Sequence, residues 1–96
     1  MPLDFLKNLG VSVYHPFHRA ALMAWWFVPP CHEAAFFRVL EHIWTHPEHL
    51  PRLQSHVFSY FRTVVSRRNY HEFHGHVRTL LKSTQFFFEE DLLDLA

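Results

Sequence analysis

The chain has 96 residues, with nine Lys or Arg against nine Asp or Glu, so its net charge is zero. That balance excludes a strongly polyanion-seeking or strongly acidic protein. Hydrophobic residues make up 49% and charged residues 19%, which excludes a disordered chain, and one cysteine excludes an intramolecular disulfide framework.

A chain this long is expected to form one domain over residues 1–96 and to bury about 65% of its unfolded surface. Only two glycines, Gly10 and Gly75, are present to supply hairpin turns, while six prolines punctuate long periodic runs. Both features point to helices.

Leu3, Leu6 and Leu9 share one side of a short predicted helix over residues 2–10, which Gly10 closes. Val11 to Tyr14 alternates like a strand, but Pro16 follows and no second strand is there to pair with it, so a connector is expected. Pro16 opens a helix through Val28 whose Ala20–Val28 stretch is apolar all round, as for a central or interface helix. Pro29 and Pro30 stop it. A helix from Cys31 to His46 follows, with Phe36, Phe37, Leu40, Ile43 and Trp44 on one face.

Pro51 opens a helix to about Arg68 that is expected to bury Leu53, Val57, Tyr60, Phe61, Val64 and Val65. Ser55, Ser59, Arg62, Thr63 and Ser66 take its wet side. Asn69 is the expected break, and Tyr70, Phe73, Val77, Leu80 and Leu81 align on a helix from Tyr70 to about Ser83. A last acidic helix is expected over residues 85–95, capped by Ser83 or Thr84. The predicted fold is all-α: a bundle of four to six helices, mostly antiparallel or orthogonal, in a single domain.

The longest apolar run, Ala20–Val28, is nine residues and too short to span a bilayer. It lies too deep in the chain for a signal peptide, so a cytoplasmic setting is expected.

Ten histidines are the first candidate chemistry. His42 and His46 are at i, i+4, Glu41 is adjacent, and His49 follows across Pro47. These three histidines are the metal candidates, and a His-based metal-binding or pH-responsive protein is an alternative reading, while no metal or other cofactor is expected. The chain has no zincin motif, no Cys/His finger spacing and no paired Glu-x-x-His motifs. Cys31, beside His32 at a predicted helix start, is the only candidate nucleophile. Neighbours on a helix do not face each other, and no phosphate-binding glycine loop exists, so catalytic residues are not expected.

Charge is uneven along the chain. Arg52, Arg62, Arg67, Arg68, Arg78 and Lys82 stand against Glu72 alone, while Glu89, Glu90, Asp91 and Asp94 close the sequence. The basic helices over residues 52–82, interleaved with Tyr60, Tyr70, His71 and His74, form an alternative nucleic-acid surface. The leading expectation rests instead on the aromatics. Trp25-Trp26-Phe27 and Phe86-Phe87-Phe88 cannot all face one core, because successive helical side chains diverge by about 100°. Those six residues are the expected partner-binding surface of a non-enzymatic interaction domain, adaptor or inhibitor-like, that forms a homodimer. No family signature emerges from the residues.

Overall fold

The computed structural model describes residues 2–84. They form five α-helices: α1 (Pro2–Asn8), α2 (Pro16–Trp25), α3 (Glu33–Thr45), α4 (Leu50–Val64) and α5 (Arg67–Lys82). Single 3-10 turns at Pro30–His32 and Pro47–His49 lead into α3 and α4, and the described residues contain no strand. The expected last helix, with Phe86, Phe87 and Phe88, lies outside the described residues.

Gly10 ends α1 at φ +81°, the left-handed geometry that glycine adopts without steric cost. The Val11 amide donates to the Leu6 carbonyl at 3.0 Å and the Gly10 amide to Lys7 at 2.9 Å, the paired closure of a Schellman turn. Both Leu6 and Val11 are buried by it. At the start of α2 the His15 imidazole serves as the cap, its Nδ1 accepting from the Phe17 amide at 3.0 Å.

α2 is the central helix. It packs against α1, α3 and, most extensively, α5. Its buried face is Phe17, His18, Ala20, Ala21 and Ala24, so three of five inward side chains are methyl groups. Small residues let helix axes approach closely. It ends at Trp25, three residues before the expected stop, and the chain then tightens: Phe27 donates to Ala24 and Val28 to Trp25.

Trp44 ties α3 to the first two helices. Its indole N–H donates to the Leu9 carbonyl at 3.0 Å, and its ring lies 4.9 Å from Phe17 and 5.1 Å from His15. Phe36, Leu40 and Ile43 of α3 are buried on the predicted face, as are Phe73, Val77, Leu80 and Leu81 of α5.

Two expectations change between α4 and α5. The break falls at Val65 and Ser66, not Asn69: Val65 turns extended and buried, and Ser66 takes the position before the first turn of α5. Arg67 and Arg68 therefore open a helix rather than close one, where their charge opposes the helix dipole. Phe61 of the predicted stripe is buried, with Val65 just beyond the helix, but the rest of the buried face of α4 is Leu50, Gln54 and Phe58, rotated from that stripe. The apolar arc of this helix is wider than its buried face, so Leu53, Val57 and Tyr60 are left half-buried beside it.

Candidate functional site

α3 and α4 run antiparallel and splay apart, leaving a groove of about 370 Å³ between them. Ala35, Val39 and Ile43 line one wall, and Leu50, Leu53 and Val57 the other. Arg38, His42, His56 and Tyr60 complete the lining, which includes no acid among the described residues. The far end is closed by a 2.6 Å hydrogen bond between the His32 Nδ1 and the Tyr60 hydroxyl, joining residues 28 apart in sequence.

That bond also bears on Cys31. The thiol is exposed in the turn before α3, and the neighbouring imidazole turns its Nδ1 to Tyr60. Chain neighbours here do not form a nucleophile–base pair.

At the opposite end of the groove stands the corner between α3 and α4. It holds His42 from the last turn of α3, His46 just beyond it, and Glu48 and His49 from the 3-10 turn. The three candidate histidines converge. Their ring centroids are mutually 5.1 Å apart, and His49 Nδ1 lies 3.1 Å from His42 Nε2. The acid drawn into this group is Glu48, not the adjacent Glu41 that the sequence suggested. Its Oε1 is 3.5 Å from His46 Nδ1 and 3.8 Å from His49 Nε2. A hydrogen bond to its own backbone, then the nearby His49 and His46, hold the Glu48 carboxyl below its ordinary value.

The basic stretch is only partly gathered. Arg62 and Arg67 line a second pocket of about 520 Å³ with Tyr70, His71 and His74, the Arg62 guanidinium lying 5.4 Å from the Tyr70 ring centre. Arg52, Arg68, Arg78 and Lys82 do not line it. His74 packs on Phe58 at 4.4 Å and on Tyr70 at 5.7 Å. Burial, then the charges of Arg78, Arg62 and His71, push its pKa below the ordinary histidine value.

A depressed histidine pKa means that the unfolded chain binds a proton more readily than the folded one. The stabilisation is complete above the unfolded value of about 6.5 and is lost as pH falls below it towards the folded value. The melting temperature is therefore expected to be lower at pH 5 than at pH 7.5, with part of the drop removed by His74→Gln. Equal melting temperatures for the native chain at the two pH values would refute this.

Of the first aromatic triplet, Trp25 packs against the core and Phe27 packs near Phe73 and His76. Trp26 is 79% exposed, and Met23, one turn earlier on α2, is exposed with it. Sequence reading missed the groove because Leu53, Val57 and Tyr60 were assigned to the core; an apolar arc wider than one buried face was the available signal. No helix among the described residues is long and apolar enough to cross a membrane. Comparison with known protein families, curated proteins and solved structures finds no match.

Proposed function

We propose that the chain is a non-enzymatic interaction domain whose α3–α4 groove receives an acidic, apolar helical segment, and that it self-associates by exchanging that segment between two copies. One observation carries the reading: the groove has apolar walls and a rim of Arg38, His42 and His56, with no acid lining it among the described residues. Apolar walls favour burial, and the Arg38 guanidinium on the rim selects charge and orientation.

Residues 85–96 have the matching chemistry in sequence. Phe88, Leu92 and Leu95 recur at i, i+4, i+7 among Glu89, Glu90, Asp91 and Asp94. Reciprocal exchange between two copies makes a closed, two-fold pair. Trp26 and Met23 add exposed apolar surface of the kind that partners cover. A cytoplasmic setting accords with the exposed free thiol of Cys31.

Sedimentation at micromolar concentration tests the reading. The native chain is expected to run as a dimer, and Val39→Glu with Val57→Glu, on half-buried wall positions, as a folded monomer. A native chain found only as a monomer overturns it.

The pocket of Arg62, Arg67, Tyr70, His71 and His74 favours a second reading, single-stranded nucleic acid bound through phosphate contact and ring stacking. Salt separates the two. Each phosphate contact to a single strand steepens the fall of log K with log salt by about 0.7, whereas apolar docking changes little.

A further inference from the structure

The geometry points to a binding site for one divalent late-transition metal ion, zinc being its representative, at the α3–α4 corner. Its ligands are His46 Nδ1, Glu48 Oε1 and His49 Nε2, and His42 is the residue that positions His49. One donor atom from each of His46, Glu48 and His49 lies within 4.8 Å of the others. Tetrahedral zinc with bonds of about 2.0–2.1 Å needs neighbouring donors about 3.3 Å apart. The 3.5 Å and 3.8 Å separations of Glu48 from His46 and His49 lie just outside that spacing, within reach of small side-chain rotations.

The second nitrogen of His49 is placed to support ligation through Nε2 in the tautomer protonated at Nδ1. Nδ1 is 3.1 Å from His42 Nε2, and a proton on His49 Nδ1 donates into that acceptor. Nε2 then carries the free lone pair, and it is the nitrogen on the Glu48 side. A ligating histidine whose other N–H is held by a neighbour is the usual arrangement around a protein-bound metal.

Local backbone supports the convergence. His46 leaves α3 at φ −133° and ψ 60°, and the 3-10 turn through Pro47 brings Glu48 and His49 back beside it within four residues. Two imidazoles and a carboxylate suit zinc, nickel or copper over calcium or magnesium, which prefer all-oxygen sites. The side chains of His46, Glu48 and His49 are 50%, 63% and 36% exposed, so the ion can enter from solvent and keep an open position. His42 also lines the groove, but the choice of ligands rests on their own geometry and on no reading of the groove's occupant.

Titration of the full-length chain with zinc, and with cobalt read by visible d–d absorption, tests the assignment. One equivalent is expected to bind, with tetrahedral or five-coordinate cobalt bands. His46→Gln with His49→Gln removes the uptake, and Glu48→Gln weakens it. His42→Gln costs about 10- to 100-fold in affinity, the effect of losing an outer partner. The ligands are surface residues, and circular dichroism verifies that each variant folds. His71→Gln, in the distant basic pocket, leaves the affinity unchanged. Absence of saturable one-equivalent binding overturns the assignment, and so does binding that survives the His46/His49 double variant.

Discussion

Phe73→Ala is expected to remove about 3–5 kcal/mol of folding stability, the usual cost of emptying a fully buried phenylalanine site. Phe73 is 0% exposed on the inward face of α5. Its ring lies 5.1 Å from Phe61, 6.2 Å from Tyr70 and 6.4 Å from Phe27, so it joins α5 to α4 and to the turn after α2. These neighbours are rings held by α4, α5 and the turn after α2 and cannot collapse fully into the space. A domain of this size has a total stability of about 5–14 kcal/mol, so the loss takes a large share of it. Urea unfolding followed by far-ultraviolet circular dichroism measures the effect. Trp26→Ala is the matched comparison: a larger ring is deleted from a 79% exposed position, and the change is expected to stay within about 0.5 kcal/mol. Similar costs for the two substitutions would contradict the assignment of Phe73 to the core.

The second large effect comes from adding atoms. Ala24 is 0% exposed, with Ala20 and Ala21 at 3% and 1%, on the helix that packs most extensively against α5. Ala24→Leu adds three carbons where the neighbouring helix leaves no room. The cost is expected to be about 1–3 kcal/mol through displaced side chains and backbone. A leucine at exposed Met23, one residue away, is expected to change stability by under about 0.5 kcal/mol. Equal midpoints for the two leucine variants would show that α2 and α5 do not depend on this close approach.

Both effects depend on distinctions that only part of the sequence displays. Ala20–Val28 is visibly apolar, and the central place of α2 follows from that. Its inward arc was hidden, because a helix apolar all round has no contrasting wet side to orient it. α3 and α5 do have that contrast, and Phe36, Leu40, Ile43, Phe73 and Val77 are buried on the expected sides. α4 has an apolar arc wider than its buried face. Periodicity chose Leu53, Val57, Tyr60 and Phe61; Phe61 is buried as expected beside Phe36 and Phe73, whereas Leu53, Val57 and Tyr60 line the groove and Leu50 and Phe58 are buried beyond the expected set.

The candidate site was legible to a similar depth. His42 and His46 share a helix side by spacing alone, and His49 follows too closely to be far away. Glu48 went unread because its position depends on the 3-10 turn through Pro47, whose curvature carries no periodic mark. Asn69 is the expected break because Asn favours helix boundaries, yet the break falls at Ser66, a residue of the same kind that spacing assigns to the wet side of the helix. The choice rests on Val65, whose burial requires the chain to turn extended one residue before Ser66.

Sequence by itself determined that this protein is all-α, where proline and Gly10 interrupt it, and which sides of α3 and α5 are dry. Those are local properties, set by side-chain spacing along a helix and by backbone freedom within a turn. Tertiary structure alone decided that α3 and α4 splay into a groove, that His32 meets Tyr60 across 28 residues, and that Arg62 and Arg67 join His71 and His74. Such meetings depend on how whole helices settle against α2. Side chains tens of residues apart share that outcome, and no short stretch of sequence contains it.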